Sequence, residues 1–251
     1  MYICDPQALE AVVPALEAVD VLAIDTEFMR ERTYYARLCL VQIATADEVY
    51  VIDAIALEGF LGGLARVLAA PATLKVLHAG SQDIEVLLRA TGVTPSPVFD
   101  TQVAATLAGF PTQVGYAQLV KELLGVAIDK ADTFTDWSVR PLSEAQLAYA
   151  AEDVGHLVAV SAELQAGLER SGRLSWALEE SARLLATVED PGPEEAWRRV
   201  GGLDQLPPAA RAAGRALAAW REREAARRDL PRRWVLSDDA LLRVARLDPE
   251  A

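Results

Sequence analysis

Val21-Leu22-Ala23-Ile24-Asp25-Thr26-Glu27-Phe28 is an apolar run that ends in two carboxylates. The run has the composition of a buried strand, and residues two apart on a strand point to one face, so Asp25 and Glu27 leave the core side by side. Two like charges on a half-buried face are costly unless something neutralises them. A hard divalent cation is the simplest neutraliser, because it prefers oxygen ligands. The plainer alternative is a strand end whose two acids sit in solvent. The rest of the chain decides between them by supplying partners or failing to.

The chain has 251 residues, 52% of them hydrophobic, enough for one sizeable core and a small second domain. No apolar run reaches the roughly 20 residues that span a bilayer, and Met1 to Glu10 lacks the order of a signal peptide, so a cytoplasmic protein with no membrane partner is expected. Cys4 and Cys39 are the only cysteines, which excludes a disulfide framework and a zinc cluster. Any metal must therefore be held by carboxylates. The net charge of −13 argues against a simple basic coat for nucleic acid. Its distribution is uneven: from Pro191 onward there are 12 arginines, no lysine and 10 acids, so the tail is mildly basic and the net negative charge lies wholly before that point. An acidic domain still binds a polyanion if divalent cations cover its carboxylates.

Outward from the opening strand, Asp5-Pro6 caps a helix whose apolar positions run from Leu9 to Val19. Leu38 to Thr45 and Glu48 to Asp53 read as two more strands, joined by a tight turn at Ala46-Asp47 and forming an antiparallel meander with the first. From Leu57 the rhythm alternates: helix to Leu68, strand Leu74 to His78, helix Gln82 to Thr91, strand at Val98-Phe99, helix Thr101 to Gly109, and a short helix within Pro111 to Gly125. A meander followed by alternating elements predicts an α/β fold, a mixed sheet covered by helices. Ile128 to Leu142 reads as irregular, Ser143-x-x-Gln146 as a capping box opening a long helix, and Ser175 to Thr187 as a further helix. Asp190-Pro191-Gly192-Pro193 is a linker, which divides the chain into domains 1–190 and 191–251. Beyond it, Trp197, Val200, Leu203, Leu206, Leu217, Trp220, Leu241, Leu242 and Val244 are the expected core of a small all-helical domain with a basic segment from Arg221 to Arg233.

Two later stretches answer the first pair of acids. After Leu77-His78-Ala79-Gly80-Ser81-Gln82, Asp83 falls in the first turn of a helix, where the helix dipole favours negative charge. Tyr149 and Asp153 are four apart and share a helix face among alanines. Each has an ordinary structural reading on its own, as a first-turn aspartate and a half-exposed Tyr-Asp pair. Taken in order, a carboxylate-x-carboxylate strand end, an aspartate opening a helix and Tyr-x-x-x-Asp resemble the DEDD superfamily of 3′-5′ exonucleases, in its tyrosine subclass. The sister subclass has a histidine where this chain has Ala148. The strings Ile24 to Phe28, Tyr34 to Ile43, His78 to Asp83, Phe99 to Gln102 and Asp136 to Leu142 narrow the resemblance to bacterial ribonuclease D, and the tail resembles an HRDC domain.

The resemblance implies a ribonuclease H-like mixed sheet, an antiparallel meander plus parallel strands flanked by helices, followed by the helical domain. It implies a two-metal phosphodiester hydrolase using Mg2+ or Mn2+, with Asp25, Glu27, Asp83 and Asp153 as ligands. Asp25 is expected to bridge the cations and Tyr149 to orient the attacking water, since a phenol of ordinary pKa near 10 is a poor base at neutral pH. Phe28, Met29, Tyr35, Arg37, Gln113, Trp137 and Arg140 are expected to contact nucleotides or phosphates, and His78 to stand behind the site or in it. The implied partner is RNA with a free 3′ end, such as a tRNA precursor, with no stable protein partner. A DNA exonuclease of the same chemistry and a non-catalytic nucleic-acid binder on a nuclease scaffold are the competing readings. The chain departs from the family in two ways: its tail is expected to be an incomplete HRDC module, and Lys130 to Phe134 lacks the polar and basic character expected before Trp137.

Overall fold

A computed structural model of the chain describes residues 1–128, 136–187 and 192–247. Lys130 to Phe134 and the Asp190-Pro191 half of the linker lie outside them. The chain divides into two compact units: Met1–Phe28 with Leu38–Val188, and Met29–Arg37 with Glu189–Ala251. Residues 29–37, which sequence alone assigned to the first domain, thus group with the helical tail.

In the first unit six strands form one sheet: β1 (Tyr2–Ile3), β2 (Val21–Met29), β3 (Arg37–Ala44), β4 (Val49–Asp53), β5 (Leu74–Leu77) and β6 (Val98–Asp100), in the order β1-β4-β3-β2-β5-β6. β3 and β4 are antiparallel, whereas β1 on β4, β2 on β5, and β5 on β6 are parallel. This is the mixed sheet that the meander and the alternation predict. The two-residue β1 is too short to leave a periodic signal, and sequence reading missed it. Among the described residues eight helices belong to this unit: α1 (Pro6–Glu17), α2 (Gly62–Ala69), α3 (Ser81–Thr91), α4 (Thr101–Ala108), α5 (Tyr116–Leu124), α6 (Glu144–Gly155), α7 (Leu157–Arg170) and α8 (Leu174–Thr187).

Local chemistry explains the boundaries. Asp5 caps α1 as expected, accepting from the backbone N–H groups of Gln7 and Ala8 at 2.9 and 3.0 Å. The helix expected from Leu57 starts only at Gly62, because the Asp53 carboxylate captures the N–H groups of Ile55 and Ala56 and holds the chain in turns. The long helix expected after Ser143 is two: the Tyr116 hydroxyl accepts the His156 N–H at 3.1 Å and donates to the Glu152 carbonyl at 3.3 Å, and the chain breaks between α6 and α7. Across β2, β5 and β6, Ala23, Val76 and Phe99 stand in register, and with Ala44 of β3 they form one face of a core completed by α4, α5 and α7. Lys75, fully enclosed between these strands, donates to the carbonyls of Ala70, Thr73 and Ser96, so its charge is satisfied by backbone alone.

The second unit packs Val200, Leu203, Ala218 and Leu241 into a small core with Trp197, Leu217, Leu236 and Leu242. Its helices are a 3-10 turn at Pro193–Arg199, α9 (Pro208–Arg228), α10 (Arg232–Val235) and α11 (Asp238–Ala245). Trp220 and Val244, expected in this core, are exposed at 46% and 44%. Gly214 lets α9 approach closely, since a Cβ there would stand 3.1 Å from Leu203. Tyr34 and Tyr35 are fastened within this unit: both backbone N–H groups donate to Asp229 at 3.1 Å, and the Tyr34 hydroxyl donates to Glu222 at 2.6 Å. Much of the basic segment is likewise engaged. Arg221 is buried against Asp238, and Arg232 grips Glu222 through both carboxylate oxygens.

Candidate functional site

The exit of β2 carries Asp25 and Glu27 on one face and the buried Thr26 on the other. The Thr26 hydroxyl donates to Asp83 at 2.5 Å, so the middle residue of the Asp-Thr-Glu triplet pins the third acid to the strand that bears the first two. Asp83 lies in the first turn of α3 and is brought there by a constrained bend. Ala79 has φ 56°, a left-handed conformation that disfavours a side chain, and Gly80 has no room for one, since a Cβ would stand 2.6 Å from the Leu77 side chain. Asp100 accepts the Gly80 N–H at 2.8 Å while capping α4 through Gln102 and Val103.

The fourth acid comes from α6. The capping box forms as the sequence predicts, with Ser143 accepting from the Gln146 N–H at 3.2 Å and Gln146 accepting from the Ser143 N–H at 2.8 Å. Ala150 and Val154 turn into the core and leave Tyr149 and Asp153 on a half-buried flank. Tyr149 stands one helical turn from Asp153 and lowers the pKa of its carboxyl against the effect of burial. The buried Trp137 ring lies 6.0 Å from that of Tyr149, tilted by 32°, and fixes the phenol from behind.

The four acids feel one another. Burial, then the charges of Asp83, Asp153 and Glu27, hold Asp25 well above the ordinary carboxylate range. Burial with the charges of Asp153 and Asp83 pushes Glu27 up to about 8, and burial raises Asp153 to about 6 against the lowering influence of Tyr149. Asp83 is also raised by burial, with Thr26 opposing. Tyr149 is pushed to about 12 by burial and by the acids around it. None of the main influences on Asp25, Glu27 or Asp153 is a basic side chain. An all-carboxylate donor set of this kind, lacking a protein counter-charge, suits a hard divalent cation. Among the described residues no three His, Cys, Asp or Glu side chains are gathered into a closed ligand cluster.

The remaining expected contacts divide. Arg140 is not available to phosphate: its five N–H groups are committed to Asp53 on both oxygens and to the carbonyls of Trp137, Val139 and Cys39. It is a structural clamp, with Tyr2 donating to the same Asp53. His78 bonds Thr101 at 2.9 Å and the Val114 carbonyl at 3.1 Å, and burial holds it below its ordinary pKa, so it is a neutral brace rather than a substrate contact. Trp137 is enclosed, which fits a support for Tyr149 better than a stacking platform for bases. Phe28 is half-buried at the exit of β2. Gln113 is exposed with φ 61° between α4 and α5. Met29, Tyr35 and Arg37 belong to the second unit. Sequence reasoning missed Thr26, although it sits inside the motif, and Asp100 and Tyr116, whose partners lie 20 to 40 residues away.

Comparison with known proteins bears on this geometry. A family model described as 3′-5′ exonuclease matches residues 1–169, and an HRDC domain model matches residues 211–251. Ribonuclease D of Acidiphilium cryptum is 50% identical over 250 residues, which are 97% of this chain and 62% of that protein. The crystal structure of Escherichia coli RNase D, described as an exoribonuclease involved in structured RNA processing, superposes with a TM-score of 0.91 at 38% identity, covering 98% of this chain and 66% of the other. Brucella melitensis NrnC with bound Mg2+ matches at 36% identity and a TM-score of 0.60, covering 69% of this chain and 85% of the other. The chain spans about three fifths of the length of the ribonuclease D relatives it matches.

Proposed function

The chain belongs to the 3′-5′ exonuclease family that includes ribonuclease D, and from that premise we propose a metal-dependent 3′-5′ exoribonuclease that trims structured RNA, such as tRNA precursors, and releases nucleoside 5′-monophosphates. The observation that supports the proposal is that Thr26, between Asp25 and Glu27, donates to Asp83, while Asp25 and Glu27 feel the charges of Asp83 and Asp153 with no basic side chain among their main influences. The Mg2+-bound relative supports the choice of a divalent cation.

In this reading Asp25, Glu27, Asp83 and Asp153 are the residues that would hold the divalent cations, Mg2+ or Mn2+. When bound, such cations would supply charge stabilisation for the attacking and leaving oxygens of a phosphodiester. Tyr149, with its phenol raised to about 12, keeps its proton at neutral pH and serves as a hydrogen-bond donor that orients the attacking water rather than as a base. Asp153 lies one helical turn from that phenol, and the Trp137 ring, 6.0 Å from that of Tyr149, supports it from the other side. Thr26 holds Asp83 at the β2 exit so that the two halves of the acid set stay in one place.

A time course on 3′- and 5′-labelled RNA, with matched DNA and with or without EDTA, tests polarity, substrate class and metal dependence together. Stepwise loss from the 3′ end of RNA that stops in EDTA is expected. Degradation that persists in EDTA, or that starts internally, overturns the proposal, and a preference for DNA transfers the same chemistry to the other substrate.

A further inference from the structure

Gln42 is a polar side chain in an apolar strand. It lies in β3, is wholly inaccessible, and among the described residues neither its Oε1 nor its Nε2 has a hydrogen-bond partner. Buried polar groups are nearly always paired, and leaving both ends of a carboxamide unmatched destabilises a fold that leucine or methionine would fill at similar volume. A group retained against stability calls for another role.

Its place in the sheet says which role. Side chains alternate along a strand, so Gln42 shares a face with Ala44, and Asp25 and Glu27 share one with Ala23. Ala23 and Ala44 belong to the same core, and β2 and β3 are neighbours in the sheet. Gln42 therefore faces the same way as the two acids from the adjoining strand. On its other side Gln42 pairs with Val51 of β4, the strand on which α6 packs with Tyr149 and Asp153. The carboxamide thus lies beneath the space on which the acids converge, flanked by the elements that carry three of them. A carboxylate that grips a cation keeps lone pairs on its outer side, and ligating carboxylates are themselves hydrogen-bonded. An amide suits that task, because it donates without adding charge.

We infer that Gln42 is a positioning residue for the acid cluster: its carboxamide takes its partner from the cluster, at Asp25, when a divalent cation is bound. The inference rests on the proposal that the acids bind cations.

The test uses the whole chain with Mn2+ alone as the probe. Free Mn2+ is followed by electron paramagnetic resonance, and melting is followed in EDTA, for wild type, Gln42→Leu and Gln42→Met. The expected result is a melting temperature in EDTA equal to or above that of wild type, with Mn2+ affinity lowered about 10- to 100-fold. Unchanged Mn2+ affinity in both variants, whatever their melting temperature, overturns the inference and leaves Gln42 as a core amide satisfied by structural water. Loss of the fold in both also overturns it, because the carboxamide is then a structural requirement. Failure of wild type to bind Mn2+ is a different result: it removes the cation proposal itself, and this inference with it.

Discussion

Buried acids in this protein follow two opposite arrangements. Asp53 and Glu222 are almost fully buried, yet each titrates below its ordinary range. Burial pushes them upward, but hydrogen bonds from Arg140 and Tyr2 to Asp53, and from Arg232 and Tyr34 to Glu222, outweigh it. Asp25, Glu27 and Asp153 are half-buried, yet they are raised, because burial is joined by the charges of neighbouring acids and no basic side chain offsets it. At Asp53 and Glu222 the chain supplies the counter-charge itself. Where an acid is left facing other acids, the counter-charge has to come from outside, and this contrast, more than any one motif, points to the site.

The contrast breaks first at Asp25. Asp25→Asn removes one of the repelling charges, so RNA hydrolysis is expected to fall by at least about a thousandfold, ~4 kcal/mol of transition-state stabilisation, while melting in EDTA is unchanged or higher. Wild-type rates in that variant contradict the contrast. Asp53→Ala should do the reverse. It leaves Arg140 without its bidentate partner, and loss of one member of a buried pair costs about 3–5 kcal/mol of stability, readable by urea denaturation and indifferent to Mg2+. A Mg2+-dependent effect there would blur the distinction between the two kinds of acid.

Much of this was legible in sequence because it is local. The Asp-Thr-Glu strand end, the Asp5 cap, the Ser143 capping box and the Tyr149-Asp153 pair each depend on residues within five positions of one another. The misreadings share the opposite property. Arg140 was expected on phosphate because its partner Asp53 lies 87 residues away, and nothing near it in the chain shows that its donors are taken. Residues 29–37 read as a loop of the first domain because their anchors, Glu222 and Asp229, lie nearly 200 residues downstream. The break at His156 escaped notice for the same reason: it depends on a hydroxyl contributed by Tyr116.

Two smaller effects sharpen the comparison. Tyr149→Phe keeps the ring against Trp137 and removes only the hydroxyl, so kcat should fall by about 10- to 100-fold, in the range of a single positioned proton or water contact, with little change in stability. An unchanged kcat would assign the phenol to structure alone. The smallest effect is on pH dependence. Glu27 moves from 4.5 to about 8 and Asp153 from 3.8 to about 6, so in EDTA the folded chain binds more protons than the unfolded one across roughly pH 4.5 to 8. Stability in EDTA should therefore fall as pH rises through that window. The expected drop in melting temperature is several degrees, given about 2–4 °C per kcal/mol for a chain of this size. Glu27→Gln should flatten the slope, and an unchanged slope would show that this acid is not held protonated. Asp53 and Glu222, being lowered, contribute in the opposite sense, and their stabilisation is lost only as pH falls below the ordinary carboxylate range.

The claim beneath all of these is that the raised acids form a cation site and the lowered ones do not. Equilibrium dialysis of Mn2+ against wild type, Asp25→Asn and Glu222→Gln measures that directly. The account predicts saturable binding in wild type, its loss in Asp25→Asn and its retention in Glu222→Gln. Wild-type binding that survives Asp25→Asn undiminished, or no binding in wild type, would contradict it.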